Sequence, residues 1–171
     1  MTQIKPPNYQ FCPFCTRKLK VKDDGERKRK FCSFCNWTYY PQVFTAVTAL
    51  IEKDGKVLMV KRGREPHKGT WMFPGGFIEY GESPLKTLQR EVMEETGLKL
   101  IKATLLDIME GKNDFRAPGN LHFVYQVIVS GGKIKTDPKE NQDIAWFSPE
   151  RPPKIGFISH QQILKLVKKR L

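Results

Sequence analysis

Apolar and β-branched residues run almost without a break from 44 to 52, give way to Lys53-Asp54-Gly55-Lys56, and resume from 57 to 62. Asp-Gly between two such runs is a strong hairpin signal, because the tight turn it favours needs positive φ at both central positions. A loop rich in charge, Gly and Pro follows from 63 to 69, then the short apolar stretch Trp71-Met72-Phe73. Beyond it the spacing becomes helical: Leu85, Leu88, Val92 and Thr96 form one stripe. Ser83 is placed to cap this helix, Pro84 to occupy its first turn and Gly97 to stop it. Further strands are expected over residues 98 to 109, 121 to 129 and 143 to 147, with an amphipathic helix from 158 to 170. Strands outnumber helices, which predicts an α/β fold with a mixed sheet packed between helices.

Before residue 41 the pattern is different. All four cysteines fall there, as Cys12-Pro13-Phe14-Cys15 and Cys32-Ser33-Phe34-Cys35. Each C-x-x-C pair fits a tight turn that points two sulfurs at one ion, and two such turns make a closed tetrathiolate shell for structural zinc. The competing reading is a disulfide pair or a redox motif, which two matched pairs and the lack of an export signal disfavour. The segment from 18 to 30, with Asp23-Asp24-Gly25 as its turn, is expected to be the hairpin arm between the pairs. Residues 36 to 40 would pack as a strand between this ribbon and the second domain, with Pro41 closing the module. The expected organisation is a zinc ribbon over residues 1–40 and a second domain over residues 41–171.

Composition narrows the class. With 171 residues, 39% hydrophobic and 28% charged, the chain has enough apolar content for a full core plus a small module. No stretch reaches ~18 consecutive apolar residues and the opening residues lack an apolar leader segment, so the expected location is the cytoplasm, with no membrane partner. The net charge of +12 divides evenly: residues 1–40 hold nine Lys/Arg against three Asp/Glu, and residues 41–171 hold 21 against 15, each a net of +6. This balance suits anionic partners, a phosphorylated small molecule or nucleic acid. The densest run, Arg27-Lys28-Arg29-Lys30, reads as a solvated hairpin tip rather than a nucleic-acid contact, because few aromatics interleave with it in sequence.

The chemistry concentrates on the first helix of the second domain. Glu91, Glu94 and Glu95 stand at i, i+3 and i+4, within roughly 100° of arc. Such crowding is unfavourable unless a cation relieves it; on the glutamates alone a solvated acidic helix surface is the commoner reading, and the alternative is a site for Mg²⁺ or Mn²⁺, to which carboxylate oxygens are suited as hard ligands. Arg90 is placed to pair with one of them, and Pro74-Gly75-Gly76 upstream lets backbone approach an ion closely. Taken together, Gly76-x5-Glu82-x7-Arg90-Glu91-Val92-x-Glu94-Glu95-x-Gly97-Leu98 resembles the Nudix box at every specified position. The resemblance implies a Nudix-type α/β/α sandwich and metal-dependent hydrolysis of a nucleoside diphosphate linked to another moiety. It implies Glu91 and Glu95 as the main metal ligands, Glu94 as an additional ligand, the Gly75 carbonyl as a backbone ligand, and Glu82 with Arg90 as supports.

Other roles are assigned by position. Arg62 and Arg64, at a strand end and in the loop facing the box, are phosphate-binding candidates. The resemblance implies a general base that some members place outside the box, in a loop before a late Trp-containing strand; Glu140 occupies such a place, with Asp137 and Asp143 as alternatives, and Glu91 or Glu94 would serve equally. Trp71 and Phe73 are candidates to stack a base, although aromatics in such a strand more often belong to the core. His67, His122 and His160 lack metal-ligand spacing and read as structural or surface residues. A ribbon joined to this domain resembles the NADH pyrophosphatases, but the S-Q-P-W-P-F-P-x-S array of that branch is missing after the box. ADP-ribose or a related ADP-linked compound is therefore the expected substrate, with NADH cleavage or RNA decapping as alternatives. A nucleotide-sensing module that binds nucleic acid is the alternative of another class; the sequence is also compatible with a homodimer.

Overall fold

The computed structural model describes residues 8–112, 114, 116–117, 119–136 and 138–170. By its internal contacts the chain divides into two compact units, Met1–Gln42 and Val43–Leu171.

In the first unit, strands β1 (Lys20–Asp23), β2 (Lys28–Cys32) and β3 (Trp37–Thr38) form an antiparallel sheet in the order β1-β2-β3. The turn between β1 and β2 is built by side-chain acceptors, the usual reason Asp initiates turns. Asp23 Oδ1 accepts from the Gly25 N–H, and Asp24 Oδ1 accepts from the Glu26 and Arg27 N–H groups. Arg29 closes on Asp24 Oδ2 at 2.8 Å, and its hydrogen bond helps hold the Asp24 carboxyl at about 2. The basic run is therefore not a free tip: Lys28, Arg29 and Lys30 lie in β2, and Arg27 alone sits in the turn. The expected strand at 36–40 is the third strand of the ribbon's own sheet.

The second unit contains β4 (Thr45–Lys53), β5 (Lys56–Arg62), β6 (Trp71–Met72), β7 (Gly75–Phe77), α1 (Pro84–Thr96), β8 (Lys99–Glu110), β9 (Leu121–Ser130), β10 (Asn141–Phe147) and α2 (Ile158–Lys168). The hairpin turn is the two-residue Asp54-Gly55, with φ of 49° and 69°, as the dipeptide predicts. The main sheet runs β10-β5-β4-β9-β8, with β6 on β5 and β7 on β4. Since β4 and β9 are parallel and β8/β9 and β10/β5 antiparallel, the sheet is mixed.

Alternation along β4 sends Val47, Ala49 and Ile51 to one face, where they pack with Leu88 and Val92 of α1. Leu50 points to the other face, against Val57, Met59, Val124 and Ile163, Leu164 and Val167 of α2. A central strand covered on both faces is mostly apolar, which is why 46–51 reads as a run broken only by Thr48, whose hydroxyl is hydrogen-bonded. Truncating Leu88 or Ile163, each 0% exposed, to Ala would cost about 2–5 kcal/mol.

Ser83 caps α1 by accepting the Lys86 N–H, and Gly97 closes it in the left-handed region at φ 70°, bonding Met93 O. The apolar stripe begins a turn later than expected: Leu85 is 54% exposed, and Thr87, Glu91 and Glu95 complete the inner face. α1 has no acidic residue in its first turn and no basic residue in its last, where Glu94 and Glu95 lie. No helix among the described residues is long and apolar enough to cross a membrane.

Candidate active site

Packing of Leu88 and Val92 into the sheet carries Glu91 and Glu95, on the same side of α1, toward the Gly75-Gly76 backbone of β7. Glu95 is 3% exposed, and both its oxygens are held: Oε2 accepts the Gly75 N–H at 2.8 Å and Oε1 accepts the Asn141 amide at 3.0 Å. Even so, burial pushes its carboxyl up to about 8. Glu91 is 8% exposed and also shifted upward by burial. Its carboxylate occupies the space a Cβ on Gly76 would take, 2.2 Å from that position. Glu94 is more open.

Arg90 organises the group. It donates through Nη1 to Glu91 Oε1 at 2.8 Å and Glu94 Oε2 at 3.1 Å, and through Nε and Nη2 to both oxygens of Glu82 at 3.0 Å each. With the Thr87 hydroxyl at 2.7 Å, these bonds pull the Glu82 carboxyl down to about 2. Glu82 is thus the anionic anchor and Arg90 the brace that fixes the rotamers of the two carboxylates beside it.

Arg90, Glu91, Glu94 and Glu95 line a cavity of about 230 Å³; Glu82 and Thr87 support them from outside it. Glu91, Glu94, Glu95, Glu140 and the Gly75-Gly76 backbone line the acidic side; Arg62, Arg64, Lys112 and Arg116 supply cations. Arg62 is 6% exposed, donates to the Pro66 carbonyl at 2.8 Å and stacks 5.1 Å from the Phe157 ring centroid. It is held rigidly, a preorganised cation beside the carboxylates. Arg64 and Glu140 are more exposed and pair at 2.9 Å, so the candidate phosphate contact and the candidate base neutralise each other. Asp143 points away from the cavity, accepting the Ile144 N–H, and Asp137 lies outside the described residues.

Trp71 and Phe73 take the core reading rather than the base-stacking one, and His122 and His160 are structural as expected. Phe73 is 0% exposed in the α2-side core and stacks on His160, while Trp71 meets Phe147 edge-on at 4.6 Å. Neither lines the cavity, because a strand beneath α2 turns them into the core; its aromatic walls are Phe77 and Phe157. His122 bonds Thr48 Oγ1 at 3.1 Å; His160 Nδ1 accepts the Phe73 N–H at 3.0 Å, which places its proton on Nε2. Both line the cavity and burial holds both neutral. Asp114, chelated by Arg116 at 3.0 and 2.8 Å, Asn120 and Asn141 also line it and carry no local motif. Adjacency to Glu140 was the one available signal for Asn141.

A divalent cation fits this donor set. Two buried carboxylates, of which only Glu91 has an arginine partner, an open third, a glycine backbone within reach and the orphaned Asn141 Oδ1 are hard oxygens in a site that disfavours bare negative charge. In the first unit the four cysteine sulfurs lie within 4.8 Å of one another, and Cys15 and Cys32 are 3.6 Å apart. Thr16 and Asn36, just after each pair, have φ of 60° and 54°, closing the two tight turns. The Cys35 N–H lowers Cys32 to about 7, whereas hydrogen bonding to Cys15 raises Cys35 to about 12.

Comparison with known proteins agrees with this geometry. The chain is 36% identical over 122 residues to the ADP-ribose pyrophosphatase of Methanocaldococcus jannaschii, covering 70% of each. It is 28% identical over 149 residues to the NAD-capped RNA hydrolase NudC of Pectobacterium carotovorum, covering 86% of this chain and 54% of that one. The chain thus spans about half the length of the NudC relatives it matches. The fold matches a NUDIX hydrolase from Nitrosomonas europaea with a TM-score of 0.73 at 20% identity, over 95% and 92% of the two chains. The NUDIX domain model matches residues 41–167, about three quarters of the sequence, and the chain accordingly belongs to the NUDIX family.

Proposed function

We propose that Val43–Leu171 hydrolyses the pyrophosphate bond of a nucleoside diphosphate linked to a second group, with ADP-ribose as the preferred substrate, and that the four cysteines hold one structural zinc. The observation that carries the proposal is a pair of buried carboxylates and a buried, tethered arginine lining one cavity, the complementarity a polyphosphate with its counter-ion requires. The named activity of the archaeal relative supports ADP-ribose.

Glu91, Glu95, Glu94 and the Gly75 carbonyl would hold Mg²⁺ or Mn²⁺, which when bound supplies phosphate-charge neutralisation and a more acidic water. Arg90, anchored by Glu82, keeps Glu91 and Glu94 in place. Arg62 binds the phosphate opposite and resists displacement because its guanidinium is tied to backbone carbonyls. Arg64 transfers its pairing from Glu140 to substrate phosphate, which frees Glu140 to accept the proton of the attacking water; Glu91 and Glu94 are the alternative acceptors. Water oxygen bonds to phosphorus as the bridging P–O bond breaks, giving AMP and ribose 5-phosphate.

A second reading has its own observation. The NudC match covers 86% of this chain, more than the second unit alone supplies, so it reaches into the ribbon and favours a dinucleotide or capped-RNA substrate. The test compares initial rates for ADP-ribose, NADH, FAD, diadenosine polyphosphates, nucleoside triphosphates and NAD-capped RNA at equal concentration. A triphosphate or capped RNA turned over with at least tenfold higher kcat/KM, about 1.4 kcal/mol in transition-state stabilisation, refutes the ADP-ribose assignment.

A further inference from the structure

We propose that the ribbon carries a stacking platform for single-stranded RNA, independent of what the catalytic cavity cleaves. The register of its sheet sets Lys20 opposite Phe31 and Lys22 opposite Arg29, so these four side chains share one face. On that face Lys22 Nζ lies 5.3 Å from the Phe31 centroid, and Arg29 lies 5.0 Å over Tyr40. At the cysteine turns Phe14 and Phe34 are 73% and 66% exposed, and the Arg17 guanidinium stacks 3.3 Å from the Phe34 centroid. The fold therefore brings Tyr40 over Arg29 of the basic run and sets other rings beside Arg17 and Lys22. Residues 8–42 carry eight Lys/Arg against three Asp/Glu, a net of +5, and Asp24 is already taken by Arg29.

Open rings paired with cations match a polymer that offers flat π-faces joined by phosphates: bases stack on the rings and on the Arg plane while lysines meet the backbone. An acidic peptide would satisfy the cations but leave Phe14 and Phe34 in water. A duplex would satisfy the cations with its bases already stacked on one another. Unpaired RNA presents both groups together.

The test uses the zinc-loaded full chain without added Mg²⁺ and a fluorescently labelled single-stranded oligoadenylate of about twelve nucleotides, a length within the ~4–16 nucleotides that single-strand-binding OB folds cover. Anisotropy is expected to show salt-sensitive binding that weakens by about tenfold or more in Phe14→Ala/Phe34→Ala and is retained in Phe14→Trp/Phe34→Trp, because stacking survives the exchange of rings. Zinc content and melting temperature should stay unchanged, since both side chains are exposed. Lys20→Glu/Lys22→Glu should weaken binding and flatten its salt dependence even if the alanine variant folds poorly. Hydrolysis of ADP-ribose by the alanine variant should match the wild type. The proposal is overturned if RNA does not bind, if the well-folded alanine variant binds as the wild type does, or if duplex RNA of equal length binds as tightly. Displacement of the RNA by polyglutamate at equal charge concentration would also overturn it, as would single-stranded DNA binding about tenfold more tightly than RNA.

Discussion

Replacing Gly76 with Ala should disable the site while sparing the fold. Gly76 has φ outside the left-handed region, so its backbone accepts a side chain. The new Cβ would lie 2.2, 2.5 and 2.9 Å from Oε1, Cδ and Oε2 of Glu91. Comfortable contact is about 3.5 Å, so the carboxylate must retreat by roughly 1 Å. Glu91 is the yielding partner, being the end of a flexible side chain, but its retreat strains the 2.8 Å bond to Arg90 and removes it from the metal position. A misplacement of about 1 Å in such a constellation lowers turnover by about a hundredfold, or ~2.7 kcal/mol in the barrier. Gly75→Ala is the contrasting control. There φ is 149° and the Cβ would meet the Val47 carbonyl oxygen at 2.1 Å, backbone that cannot swing aside. Strain of about 1–3 kcal/mol should lower the melting temperature by roughly 2–4 °C per kcal/mol. Thermal unfolding, kcat/KM for ADP-ribose and Mn²⁺ titration by electron paramagnetic resonance are measured on both. Wild-type turnover and Mn²⁺ affinity in Gly76→Ala, or melting-point loss as large as in Gly75→Ala, would refute the packing relation between Gly76 and Glu91.

Asn141→Leu removes the amide donor to Glu95 and should weaken Mn²⁺ binding by about tenfold, as loss of a supporting hydrogen bond typically does; unchanged affinity in titration calorimetry would mean Gly75 alone holds Glu95. Glu95 has a folded pKa of about 8, raised from 4.5, so without metal its stabilising contribution is full below pH ~4.5 and is lost as pH rises through ~8. Since a divalent ion favours the charged form, the rise in melting temperature on adding Mn²⁺ should be larger at pH 8.5 than at pH 6, and an equal rise at both would count against burial of a bare carboxylate. Arg62→Gln should lower kcat/KM by about tenfold or more, mainly through KM, and destabilise the fold by about 1–3 kcal/mol because the carbonyls of Pro66 and Glu65 lose a donor. Intact kinetics would return Arg62 to a purely structural role. Elemental analysis should find one zinc per chain, and disulfides without zinc in protein prepared under reducing conditions would remove that assignment.

The legible parts were those written in neighbouring residues. Ser83, Pro84 and Gly97 delimit α1 because caps act over three or four residues, and Asp54-Gly55 sets the hairpin because both φ values must be positive. The acidic face was visible for the same reason, as one helix brings Glu91, Glu94 and Glu95 together. Asn141, His122 and His160 were invisible as site residues because sheet pairing and the docking of α2, not sequence proximity, bring them to α1 and β4. The choice between base stacking and core for Trp71 and Phe73 is open in the sequence because a short apolar strand does not reveal which side a later helix will cover. Leu85 was overcounted because periodicity assigns a face but not where along the helix burial begins.

Helix α1 is charged against its own dipole. Its N-terminal turn lacks the acids that would favour the positive end, and its last turn carries Glu94 and Glu95 where the backbone is already electronegative. Arg90 pairs with Glu94 and burial favours the neutral form of Glu95, so the turn is loaded against the dipole when Glu95 ionises; it is held by the Gly97 cap and by the Thr96 hydroxyl, which bonds back to the Val92 carbonyl and accepts the Leu98 N–H. Any cation captured by the carboxylates works on backbone order as well as on substrate. Metal affinity and amide-exchange protection of residues 94–98 are then expected to rise and fall together, and a change that loosens this turn should weaken metal binding without touching a ligand.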